Sequence, residues 1–157
     1  MSEQTSKEIR STVTSEGYIE ISIITVEKPA PSENEVLIKV EASPINPSDL
    51  GLLISFAANL DSLSVSGSGD HTVAKMKIHE GLMKTMTPRI DQSMKVGNEG
   101  GGVIEDAGTN AKELIGKTVG VAGGAMYSHY RCVSATNCLV MDDNTTSSEA
   151  ASSFVNP

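Results

Sequence analysis

The stretch Glu35–Ala42, EVLIKVEA, constrains this chain more than any other. Val36, Ile38, Val40 and Ala42 alternate strictly with Leu37, Lys39 and Glu41. A period of two puts the first set on one face of an extended strand and the second on the other, which is the pattern of a half-buried strand. The strand is broken by Pro44-Ile45-Asn46-Pro47-Ser48-Asp49, where two prolines fix the backbone. Ser48 or Asp49 is placed to cap a short helix entering at Leu50.

Other segments repeat this theme. Ser2–Ser15 reads as a loose end leading into a first strand, and Tyr18–Val26, YIEISIITV, would pair with Arg10–Thr14 as a hairpin across a Glu16-Gly17 turn. Pro29-Ala30-Pro31 ends that unit. Leu52–Leu63 continues the first helix weakly, Ser64–Asp70 reads as a flexible loop, and Thr72–His79 alternates again. Leu82–Met86 predicts a helical turn. Short strands are expected at 103–105, 118–122 and 137–141, with a longer one at 125–134. Thr146-Ser147-Ser148-Glu149 forms a capping box, so a helix starts there. Short strands separated by turn signals predict a mainly β domain with short helices, a partly open barrel or a sandwich.

With 157 residues the chain is long enough to bury a core. Its 12 basic and 20 acidic residues leave a net charge of −8, which argues against nucleic-acid or anionic-membrane partners. Aromatics at 3% leave too few rings for a base-stacking surface. The polar start at 1–10 has no signal-peptide core, and no apolar run approaches the roughly 18 residues of a membrane helix. A cytoplasmic location with reduced thiols is the expectation.

Two glycine-rich stretches fail as phosphate cradles. In Gly97-Asn98-Glu99-Gly100-Gly101-Gly102 the Gly-x-Gly-x-x-Gly spacing lands on Glu99 or Glu105, and the run leads into the strand-like Val103-Ile104-Glu105. These glycines read as a bend and a close backbone approach. Gly116-Lys117-Thr118 lacks a glycine at Ala111 and leads into a strand rather than a helix. Cys132 and Cys138, with His71, His79 and His129, have no zinc-site spacing, so the cysteines read as buried free thiols. Met76, Met83, Met86 and Met94 fall in 52–96, where five basic residues face four acidic ones in an otherwise acidic chain. That segment reads as an insertion, its methionines filling core or walling a substrate site, and the whole serving as a lid.

Four stretches in order carry a resemblance: EVLIKVEASPINPSDLGLL (35–53), VGNEGGGVIEDAG (96–108), GKTVGVAGGAMYSHYRCVSATNCLVM (116–141) and SSEAASSFVNP (147–157). Together they resemble the N-terminal, GroES-like catalytic domain of the medium-chain dehydrogenase/reductases, in the zinc-free quinone oxidoreductase-like branch. The resemblance implies a GroES-like partly open β-barrel over 1–157 with an insertion at 52–96, ending at the boundary to a Rossmann domain not contained in these residues. It implies a parent enzyme, a cytoplasmic homodimer, that uses NADP or NAD to reduce a quinone or an activated alkene or carbonyl. No cofactor is expected on the chain alone. Zinc enzymes of the superfamily place a Cys where Asn46 stands and a His where Asn98 stands, so no zinc is expected. The Asn-x-x-Asp pattern falls on Asn46 and Asp49, implying catalytic roles there and cofactor contacts at Asn46, Pro47 and Asn156. Read from the residues alone, Asp49 is first a helix cap and only second a catalytic group, and Glu99 is either a cleft carboxylate or a backbone brace. The branch's tyrosine five residues after the asparagine falls on Gly51, and Tyr127 matches a structural aromatic. A different class of reading stays open: a non-catalytic GroES-like binding or interaction domain.

Overall fold

The computed structural model describes residues 4–155. Among these residues ten strands form two five-stranded sheets, joined by two four-residue α-helices and short 3-10 turns. The first sheet begins with the hairpin β1 (Thr5–Val13) and β2 (Tyr18–Glu27), turned at Glu16-Gly17 with Gly17 at φ 84°. The second is centred on β3 (Glu35–Ala42), whose Val36 and Ile38 are fully buried as the alternation predicts. Leu37, placed on the opposite face, is buried too. After α1 (Leu50–Leu53) come β4 (Ser64–Ser66), β5 (Val73–Lys77) and β6 (Ser93–Lys95). The chain then forms β7 (Glu99–Ala107), β8 (Thr118–Ala122), β9 (Tyr130–Ser134), β10 (Cys138–Val140) and α2 (Ser147–Ala150).

Sheet order is β4-β5-β2-β1-β6 and β10-β8-β7-β3-β9, every named pair antiparallel. The second sheet curls into an open half-barrel. The first is joined to it by the bridge Glu8↔Ser128. Segment 52–96 thus supplies three strands of the first sheet, β4, β5 and β6, and is woven into it rather than hung from it.

Several boundaries differ from the sequence expectations, each for a physical reason. β1 starts at Thr5, because Ser6 and Glu8 are buried and Glu8 is paired with Arg10 at 2.5 Å and Lys95 at 3.3 Å. The helix expected over 52–63 stops at Leu53, since Ser55 N–H turns back to the Leu50 carbonyl and a 3-10 turn forms only at Leu60–Ser62. The loop expected at 64–70 holds β4, paired to β5, and a 3-10 turn at Gly69–His71. The glycines at 100–102 lie inside β7, not ahead of it. A Cβ at Gly102 would clash with the Lys39 carbonyl and one at Gly101 with the Ser147 carbonyl, so these glycines let β3 and α2 approach. The strand expected at 125–134 begins only at Tyr130, because Gly123, Gly124 and Ala125 all take positive φ. The capping box is present as expected: the Thr146 hydroxyl accepts from Glu149 N–H while the Glu149 carboxylate accepts from Thr146 N–H at 2.8 Å.

Two apolar cores result. The half-barrel core gathers Val36, Ile38, Ile104, Val119, Val121, Met126 and Val133. The other, over the first sheet, gathers Val13, Ile19, Met76, Ile78 and Met86, with Phe56 and Met83 packed against it.

Candidate functional site

β3 delivers the chain to the Pro44–Asp49 loop, which is pinned to the start of β7 by buried polar groups. Asp49 sits at the N-cap of α1 but makes no side-chain cap bond, so the capping role is corrected. Its carboxylate accepts instead from Asn46 N–H and from Asn98 N–H, both at 2.8 Å. The Asn98 amide donates to Ser48 Oγ at 2.8 Å. Asp49 therefore clips its own loop and binds it to the neighbouring strand.

Behind this clip lies Glu99, fully shielded from solvent. One carboxylate oxygen accepts from the Asn46 amide at 2.9 Å. The other accepts from the backbone N–H groups of Phe154 at 2.9 Å and Val155 at 3.0 Å. A buried carboxylate is tolerable only when such donors replace its lost hydration. Of the two readings open for Glu99, the observed contacts are those of a brace. It connects the loop after β3 to the segment leaving α2, 55 residues downstream of Glu99.

The rim of this pair is apolar. Ile45 is 75% exposed, and Pro47, Phe154 and Val155 are exposed with it, while Asn46 is 3% exposed. The Tyr127 hydroxyl donates to the Pro44 carbonyl at 2.9 Å. Burial, then the nearby Asp49 charge, pushes that phenol up to about 12, so it stays a neutral donor.

Asn46, Asp49 and Glu99, read from sequence, thus meet in one network, with Pro47 exposed at its edge. Asn156 lies outside the described residues. Gly51 is in α1 with open space where a side chain would stand. Sequence reading missed the parts played by Ser48, Asn98 and the backbone of Phe154 and Val155. Only the two prolines, which mark a rigid loop in need of partners, pointed that way. Among the described residues no group of three His, Cys, Asp or Glu side chains could hold a metal ion. Cys132 and Cys138 lie in β9 and β10, unpaired and half-buried, and burial pushes both thiols up to about 11. No helix among the described residues is long and apolar enough to cross a membrane.

No family profile matches the sequence, and no curated protein matches it significantly. Solved structures do match. One, assigned as an NADPH:quinone reductase from Mesorhizobium loti, is 22% identical, with a TM-score of 0.60 over 99% of this chain and 42% of its own. A mycobacterial protein complexed with NADPH is 20% identical, with a TM-score of 0.55 over 96% of this chain and 36% of its own. An alcohol dehydrogenase from Escherichia coli CFT073, complexed with NADH, is 18% identical, with a TM-score of 0.62 over 95% and 42%. The chain spans about two-fifths of the length of these proteins. Its fold is that of the GroES-like domain shared by these quinone reductase and alcohol dehydrogenase structures.

Proposed function

We propose that this chain is the catalytic-domain portion of an NAD(P)H-dependent oxidoreductase that reduces a quinone or an activated alkene or carbonyl without zinc. One observation carries the reading: the Asn46 amide is held by a fully buried carboxylate at the base of an apolar rim. An amide so fixed has one orientation to offer, which is what positioning a nicotinamide or a substrate oxygen requires. The donor set supports a metal-free route, since Asn98 is spent on Ser48 and Asn46 on Glu99, and amides are poor replacements for thiolate and imidazole.

A nicotinamide, when bound, supplies the hydride. The chain's own residues would bind and orient. Ile45 and Pro47 offer the apolar surface for a flat ring, Asn46 presents its amide beside them, and Asp49 with Glu99 holds that amide still. Tyr127 anchors the loop at Pro44.

The test monitors NAD(P)H oxidation with a quinone, an enone and a ketone as acceptors, in the longest natural polypeptide that carries this chain. Turnover is expected with the quinone or the enone, unchanged by a strong chelator and lowered at least about tenfold by Asn46→Ala. Loss of turnover on chelation overturns the zinc-free route. No oxidation with any acceptor favours the non-catalytic binding domain. The 157 residues alone should show no saturable NADPH binding in the low micromolar range, because a phosphate-cradling strand–turn–helix is not among them.

A further inference from the structure

A second concavity lies across Tyr127 from the Asn46 network, at the seam between the two sheets. Its volume is about 450 Å³, within the range that holds small-molecule ligands. The floor is apolar: Ile9, Ile23, Val40, Ala42 and Met126. The seam is zipped by His129 N–H to the Lys7 carbonyl and Ile9 N–H to the Tyr127 carbonyl, both 2.8 Å, so the backbone beneath is fixed.

The ionisable groups around this floor are already spent on one another. Glu8 is paired with Arg10 and Lys95. Asp70, brought over by the 3-10 turn at Gly69–His71, is paired with Lys7. The Glu41 carboxylate accepts from Ser147 Oγ at 2.8 Å. Ser43 and Ser128 donate to the backbone carbonyls of Met126 and Ala125. That leaves the exposed imidazole of His129 as the polar side chain in the lining without a hydrogen-bond or ion-pair partner, among the described residues. A charged ligand would have to displace an existing pair, and a wholly apolar one would ignore the imidazole.

We infer that this seam pocket binds an uncharged ring compound bearing one carbonyl or hydroxyl group, with the ring on the Ile9–Ile23–Val40–Met126 floor and the polar group hydrogen-bonded to His129. The site shares Ile45 and Tyr127 with the rim of the Asn46 network but does not depend on the reaction proposed there. Segment 52–96 contributes to it through Asp70, whose tie to Lys7 closes one wall.

The experiment is an NMR titration of the isotopically labelled 157-residue chain with three probes: α-tetralone, its carbonyl-free analogue tetralin, and 1-naphthoate. The expected result is saturable perturbation by α-tetralone at Ile9, Ile23, Val40 and Met126. Tetralin should bind roughly three- to tenfold more weakly, the worth of one hydrogen bond, and naphthoate weakest of all. His129→Phe, at an exposed position, should bring α-tetralone down to the tetralin level. Ile23→Glu should abolish binding of both, and Ile23→Ser serves in its place if the glutamate variant does not fold. Absence of saturable shifts, or shifts centred on Asn46, Asn98 and Phe154, overturns the site. Equal binding of α-tetralone and tetralin, or no effect of His129→Phe, overturns the assigned donor. Tightest binding by naphthoate overturns the charge argument.

Discussion

The two cores are built from different materials. The half-barrel core is mostly β-branched and small: Val36, Ile38, Ile104, Val119, Val121 and Val133, walled by glycine positions where strands and α2 touch backbone to backbone. The core over the first sheet relies on Met76, Met83 and Met86 with Phe56, under 3-10 turns and strands as short as three residues. Stiff side chains in a regular sheet fill one shape well, whereas Met fills whatever irregular gap remains. The half-barrel should therefore punish any change of volume, and the other core should adapt.

The largest effect expected is from Gly102→Ala, which drives a methyl group into the Lys39 carbonyl across β3 and β7. The loss should exceed about 4 kcal/mol and leave little folded protein in thermal or urea unfolding. A folded, cooperative variant would mean that the half-barrel is less tightly built than described. Next comes a matched pair of truncations. Ile38→Ala should cost about 4 kcal/mol and Met86→Ala about 2 kcal/mol, since the methionine site can collapse around the loss. Hydrogen exchange should show the first opening the whole molecule and the second speeding exchange only across 64–95. Equal costs and equal exchange patterns would erase the contrast between the cores.

A smaller effect, about 1 kcal/mol, is expected from Thr146→Ala, which removes the cap of α2. Because α2 rests on Gly101 and Gly120, the change should also raise exchange at 147–151 while leaving β5 untouched. The smallest signal at neutral pH is that of the thiols. Both cysteines lie in the half-barrel sheet, raised to about 11 by burial from an ordinary 9. The folded state holds its thiol protons longer than the unfolded state, so their contribution to stability is whole below pH 9 and is lost as pH rises towards about 11. Alkylation of native protein should be slow at pH 8 and climb about tenfold per pH unit up to that value. Rapid labelling of both at pH 7 would contradict their burial.

The difference between the cores also explains what the sequence made legible. Strict alternation at 35–42, the 118–122 strand, the Glu16-Gly17 turn and the capping box depend on residues close in the chain, and all are present in the structure. β4 has no such local signal: Ser64-Val65-Ser66 is a strand only because β5 offers it a partner. The polar start of β1 is held by Arg10 and Lys95 around Glu8, the lysine 87 positions away from that glutamate, and no local pattern announces it. At the site, residues 46, 49 and 99 could be singled out, but the two backbone N–H groups that complete Glu99 carry no side-chain signature.

Those two N–H groups have a mechanical consequence. Glu99 grips the backbone at Phe154 and Val155 with one oxygen and the Asn46 amide with the other. Any sideways pull on the chain after α2 must either carry the carboxylate along, dragging Asn46, or leave a buried negative charge short of donors. The second outcome is costly enough that partial release is not a resting place. The link therefore couples the backbone after α2 to the direction in which one amide points.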